Sequence, residues 1–191
     1  VTEAMGDENF IVGTAICLSD LKDEKEMALV KKHFNAITFG NELKPDAAFG
    51  YASKCPETEK ATINGIEITV PKLDFSRADE MLEYVYKYNQ KHPESAIRIR
   101  GHVFTWHSQT PEWFFHVDYD KDKELCSKEE MTLRHEWYIK TMAEHYMGEN
   151  SKYKDMFYGW DVVNEAISDG RGTYRNENEN STWWRVYGSN E

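Results

Sequence analysis

Cysteine is scarce: Cys17, Cys55 and Cys126 are the only three in 191 residues, and no two form a C-x-x-C pair. That spacing excludes a zinc ribbon and a disulfide-dense scaffold, and leaves free thiols or a single disulfide. Positive charge is also short, with 23 Lys and Arg against 34 Asp and Glu and a formal net charge of -11. Such a surface repels phosphate backbones and anionic lipid, so neither nucleic acid nor a membrane surface is expected as a partner. A neutral or weakly charged ligand suits it, although solubility alone accounts for the charge. No apolar run reaches the roughly 18 residues of a membrane span, and no signal peptide opens the chain. A mature chain has already lost its signal, so that absence says little about compartment. The first turn, Gly13-Thr14-Ala15-Ile16-Cys17-Leu18, lacks the glycine fingerprint of a dinucleotide site.

What is present is enough apolar material for a core, 40% of residues, which argues against disorder. Aromatics reach 14%, with 6 Trp and 11 Tyr. Rings of this kind serve packing or stack on sugar faces, and composition does not choose between the two.

Strand-like and helix-like segments alternate along the chain. Phe10 to Ile16 reads as a first strand, Leu21 to His33 as a helix, and Ala36 to Phe39 as a second strand. Residues 50–75 form an excursion broken by Pro56, Asn64-Gly65 and Pro71, with a small hairpin expected at Ile63 to Val70. Ser76 is the expected N-cap of a helix that puts Ala78, Met81, Leu82 and Val85 on one face. Ile97 to Phe104 reads as a third strand. Ser127 and Glu130 form an S-x-x-E box opening a helix to about Tyr146. Phe157 to Val163 is a fourth strand, and Ser181 starts a further helix. Repeated βα units imply a parallel sheet with helices outside it. The chemically interesting residues fall at strand carboxyl ends, where a (β/α)₈ barrel carries its active site. The fold expected is therefore an α/β TIM barrel, of which this chain supplies roughly the first four βα units.

Trp160-Asp161-Val162-Val163-Asn164-Glu165-Ala166 sets a carboxyl and an amide directly after a strand. Glycoside hydrolysis needs a carboxylic acid to protonate the departing oxygen, and gains from a donor to the sugar 2-hydroxyl. Taken alone, the pair reads more readily as a capping Asn beside a solvated Glu. Arg100-Gly101-His102-Val103-Phe104-Thr105-Trp106-His107-Ser108-Gln109-Thr110-Pro111 shifts that balance. Strand alternation puts His102, Phe104 and Trp106 on one face, with His107 and Gln109 at the mouth. An indole, imidazoles and an amide there offer a stacking surface and neutral hydrogen-bond partners for a sugar. Gly40 to Asp46 adds Asn41 and Lys44 at the same edge.

Two other readings compete. Histidines at strand ends bind divalent metals, and a metal-dependent hydrolase would use His102, His107 and Glu165. His135-Glu136 does not continue into an H-E-x-x-H helix, so it lends no support. A non-catalytic carbohydrate-binding protein would need the ring and amides, but not a carboxyl at the strand end.

The segments Arg100 to Pro111 and Trp160 to Ala166, in that order, resemble the R-G-H-x-x-x-W-H-S-Q and W-D-V-V-N-E-A motifs of glycoside hydrolase family 10, the retaining β-1,4-xylanases. The resemblance runs from about Gly13 to the last residue, and the ending Ser181-Thr-Trp-Trp-Arg-Val-Tyr-Gly is similar too. It implies that residues 1–191 are the amino-terminal part of one catalytic barrel, needing no cofactor and no metal, and acting on xylan or xylo-oligosaccharides. Because an insoluble polysaccharide cannot enter a cell, a secreted, cell-surface or periplasmic location is expected. Carried over by position, Glu165 is the acid/base and Asn164 contacts the 2-hydroxyl. His102, Trp106 and His107 line the subsite of cleavage, and Asn41, Lys44 and Gln109 bind the glycone side. Two departures stand out. Gly40 replaces a Glu usual before the asparagine, and the nucleophilic Glu of the family's seventh strand has no counterpart here. The remainder of the barrel is thus an expected partner, and this piece alone is expected to be inactive.

Overall fold

The computed structural model describes residues 10–189, so both ends of the expected 1–191 portion lie outside the described residues. Four strands form its central sheet: β1 (Gly13–Ile16), β2 (Ala36–Phe39), β5 (Arg98–Gly101) and β7 (Phe157–Trp160). Every pair is parallel, and their spatial order follows the chain. A doubly wound sheet reverses that order near its middle, whereas a barrel wall does not. Side chains alternate as the pleat requires. Ile37, Phe39 and Ile99 are fully buried, while Thr38 and Arg100 line a hollow on the other face with Thr14.

Helices α1 (Leu18–Leu21), α2 (Glu24–His33), α3 (Pro45–Ala48), α4 (Ser76–Lys91), α5 (Lys128–Met147) and α6 (Thr182–Tyr187) complete the units. The single helix expected from Leu21 is two, because Asp23 caps a fresh start by accepting from Lys25 N at 2.8 Å and Glu26 N at 3.2 Å. Helix α4 buries the expected stripe of Ala78, Met81, Leu82 and Val85. Its cap is not Ser76, which is already helical; Asp74 Oδ1 accepts from Ser76 N at 2.9 Å. Hydrogen bonds from Ser76 also hold the Asp74 carboxyl below its ordinary pKa. At α5 half of the expected box forms, Ser127 Oγ accepting from Glu130 N at 3.1 Å. The other half is diverted, since the Glu130 carboxylate pairs with the buried Arg134. That guanidinium also donates to Phe114 O at 2.7 Å and His116 O at 2.9 Å, tying the loop before α5 to the helix.

The excursion carries a hairpin, β3 (Thr58–Ile63) and β4 (Ile66–Pro71), two-stranded and longer than expected. Asn64 and Gly65 turn it with φ of 51° and 82°, the pair of positive φ values that a tight hairpin needs. Tyr119 OH donates to Thr69 O at 2.8 Å and fixes it to the body. Beneath it lies an aromatic core in which Phe49 meets Trp113, Phe114 and Tyr138 at 5.0–5.5 Å. Burying Phe49 or Phe114 contributes about 2–3 kcal/mol each.

Strands three and four are shorter than the sequence suggests. The third ends at Gly101, where a Cβ would stand 2.0 Å from Trp160, and the His102–Val103 peptide is cis. The chain resumes as β6 (Thr105–Trp106), paired in parallel with β8 (Val163–Asn164). The first strand likewise begins only at Gly13. Val162, Val163, Ile167 and Tyr174 are exposed beyond the β7 side of the sheet. The three cysteines are free thiols. Among the described residues no helix is long and apolar enough to cross a membrane.

Candidate active site

Glu165 follows β8 in the left-handed region at φ 52°, a conformation unfavourable for a side-chain-bearing residue and concentrated at functional sites. Trp106 Nε1 donates to Glu165 Oε2 at 2.8 Å, and His107 Nδ1 lies 3.8 Å from the same oxygen. Arg175 Nε donates to the Glu165 carbonyl at 3.1 Å. Burial, and then the charge of Arg175, push the His107 pKa down, so its ring is neutral at neutral pH. Asn164 sits on β8 in register with Trp106 on β6, which sets amide, carboxyl and indole side by side.

The indole that meets the carboxyl is itself held firmly. The Trp106 carbonyl accepts from Thr110 Oγ1 at 2.9 Å and from Trp183 Nε1 at 3.0 Å. His102 lies 6.4 Å away, ring to ring, and its Nδ1 meets Asp161 Oδ2 at 2.8 Å. The other Asp161 oxygen accepts from Arg100 Nε at 2.9 Å and Nη2 at 2.6 Å. The Asp161 carboxylate accepts there, so His102 Nδ1 carries the proton between them and the ring is held in one orientation. Phe104 departs from the expected shared face. It is 6% exposed and stacks on Trp160 at 4.4 Å, because regular alternation stops at Gly101.

On the β2 side, Lys44 Nζ donates to Asn41 Oδ1 at 3.1 Å and Gln109 Oε1 at 2.9 Å, and stands 5.1 Å from the Trp106 ring centre. Desolvation lowers its pKa, opposed by the nearby Glu42, Asp46 and Glu165. Gly40 has a local cause: a Cβ there would fall 2.6 Å from Cys17 Sγ. The eight residues singled out in the sequence thus form one chain of contacts, from Asn41 through Lys44, Gln109 and Trp106 to His102, His107, Asn164 and Glu165.

Four others escaped notice as individuals. Asp161 and Trp183 lay inside the quoted motifs, while Glu42 and Arg175 work through partners distant in sequence. A cleft of about 380 Å³ beside Glu165 is walled by Trp106, His107, Tyr174 and Trp184. Among the described residues no group of three or more His, Cys, Asp or Glu could hold a metal ion, so His102, His107 and Glu165 do not converge as ligands.

The model of glycosyl hydrolase family 10 matches residues 1–191. Endo-1,4-beta-xylanase A of Thermotoga neapolitana is 35% identical over 181 residues, 94% of this chain and 14% of that protein. Endo-1,4-beta-xylanase A of Butyrivibrio fibrisolvens is 32% identical over 197 residues, 99% of this chain and 44% of that protein. This chain therefore spans less than half the length of either relative. Among solved structures, the CBM22-1 and GH10 modules of a Clostridium thermocellum endo-1,4-beta-D-xylanase, complexed with xylohexaose, align with a TM-score of 0.73 at 30% identity. That alignment covers 95% of this chain and 33% of the other. The intracellular xylanase of Thermoanaerobacterium saccharolyticum, complexed with xylotetraose, aligns at 0.68 and 28% identity, covering 94% and 46%. The parallel wall and its helices are a partial, amino-terminal stretch of the family's (β/α)₈ barrel. End to end, then, this chain belongs to glycosyl hydrolase family 10, the family its two long motifs resemble.

Proposed function

We propose that the chain is part of an endo-acting retaining glycosidase that cleaves β-1,4-xylosidic bonds in xylan or xylo-oligosaccharides. The observation that carries this reading is the 2.8 Å bond from Trp106 Nε1 to Glu165, which seats a carboxyl beside an indole, with the His107 imidazole 3.8 Å from the same oxygen. The names of the relatives support the substrate class. In double displacement the Glu165 carboxyl protonates the leaving glycosidic oxygen while a second carboxylate attacks the anomeric carbon. The Glu165 carboxylate then takes a proton from water, which releases the sugar with retained configuration. Asn164 donates to the 2-hydroxyl of the reacting sugar. His102, Trp106 and His107 form its walls, and Asn41, Lys44 and Gln109 hold the sugars on the glycone side.

The second carboxylate must stand about 5–5.5 Å from the first, and we place it in the remainder of the barrel, outside these 191 residues. The piece alone is then inactive, and residues 50–75 are an excursion of that one catalytic domain. Acting on polymeric xylan, which does not enter a cell, the enzyme works outside it. In the complete enzyme Glu165→Gln lowers xylan turnover about 10³-fold, the scale of lost acid/base catalysis. Glycosyl-enzyme formation from a dinitrophenyl xylobioside survives, since that leaving group needs no proton. Xylan turnover at the wild-type rate in this variant would overturn the assignment.

A further inference from the structure

Glu42 is a buried carboxyl in the loop that carries Asn41 and Lys44. Both of its oxygens are committed to main chain. Oε1 accepts from Leu18 N at 3.2 Å and Oε2 from Asn41 N at 3.1 Å. Leu18 opens the turn after β1, and Asn41 lies just past β2, so one side chain clasps the ends of two neighbouring strands. Beyond these, the Asn41 carbonyl accepts from Lys44 N at 3.0 Å and Gly40 N donates to Ile16 O at 2.8 Å. Gly40 offers no side chain to anchor it, because Cys17 Sγ occupies that space. Among the described residues the Asn41 amide reaches only that sulfur, at 3.9 Å, while its oxygen receives Lys44 Nζ.

We propose that Glu42 is a positioning residue: by gripping the Leu18 and Asn41 amides it aims Asn41, and through it Lys44, at a sugar beyond the one being cleaved. This rests on the xylanase reading and deepens it, since it makes affinity for longer glycones depend on a residue that touches no sugar. Glutamine at this position is the sharpest probe. It keeps the shape of the side chain but turns one acceptor into a donor facing an N–H group, leaving a buried amide unpaired.

The test compares two substrates in the complete enzyme: a nitrophenyl β-xyloside, with one sugar on the glycone side, and a nitrophenyl β-xylobioside, with two. Glu42→Gln lowers kcat/KM on the xylobioside about tenfold, carried by KM, the scale of one lost buried hydrogen bond. The fall on the xyloside is several times smaller. Combined with Asn41→Ala, Glu42→Gln adds nothing on the xylobioside, since both changes remove the same contact. Equal losses on the two substrates, no loss on either, or additive losses in the double variant would overturn the proposal. Should Glu42→Gln fail to fold, Glu42→Asp, whose shorter arm reaches one amide at most, is read by the same criteria. A wild type that cleaves neither substrate counts against the xylanase reading alone. Calorimetric titration with xylotriose then reads Glu42, and an unchanged Kd in Glu42→Gln overturns its role.

Discussion

The β2 end of the groove and the β8 end hold their polar groups differently. Glu42 and Lys44 are buried, and each is fixed by two hydrogen bonds, one of which runs from Lys44 across to Gln109 beyond β6. Glu165 has a side chain 41% exposed, on a strained backbone, beside the exposed Val162 and Val163. A buried polar network holds one geometry because an unpaired member is costly. The β2 wall therefore keeps one geometry, which suits the binding role proposed for it. On the proposed function the β8 wall carries the reactive carboxyl, in the more exposed setting of the two. Binding and chemistry are thus assigned to walls of unequal rigidity.

The largest effect that would test this division is on rate: Glu165→Gln removes about three orders of magnitude from xylan turnover while KM changes little. A comparable KM defect would show that the acid wall also binds ground-state substrate. Next comes an acid response on the β6 side. Burial lowers the His135 pKa from 6.5 to about 4, and its Nε2 lies 2.8 Å from Thr105 Oγ1. The unfolded chain takes up that proton near pH 6.5 while the folded one resists it. Stability is therefore full above that pH and falls towards pH 4, by about 3 kcal/mol from this ring. Thermal melts at pH 7 and 4.5 should show a flatter dependence in His135→Gln, and an unchanged slope would refute the account.

Smaller again, Lys44→Met keeps the stem beneath Trp106 but removes the donor shared by Asn41 and Gln109. KM for xylohexaose rises about tenfold to a hundredfold, with kcat nearly intact, as expected for hydrogen bonds to a charged donor. A kcat loss of similar size would mean that the two walls are coupled. The smallest change lies away from both. Gly65→Ala meets no atom within 4 Å of its new Cβ and pays only for φ at +82°, about 1 kcal/mol of stability with activity unaltered.

Much of this was legible in the sequence where the cause is local. The stripe from Ala78 to Val85, the Asn64-Gly65 turn and the short strand Ala36–Phe39 follow from period and turn chemistry within a few residues. Local patterns misled where a partner intervened. Ser76 begins the helix instead of capping it, with Phe75 at the N-cap and Asp74 holding the Ser76 amide, and Arg134 diverted the Glu130 arm of the expected box. Phe104 left the predicted face because strand geometry stops at Gly101, which no hydrophobic period reports. Glu165 and its neighbours were found because long motifs name them together. Asp161 and Glu42 were missed as individuals because they act on groups 59 and 24 residues away, through contacts that only the folded chain creates.

The double grip on the Trp106 carbonyl, by Thr110 and by Trp183, has a consequence for recognition. An aromatic floor anchored at its own backbone does not have to be assembled when a guest arrives, so the ordering on association falls on that guest. Stiff, extended chains, which surrender the least freedom on landing, gain most from such a surface, and limp or branched ones gain least.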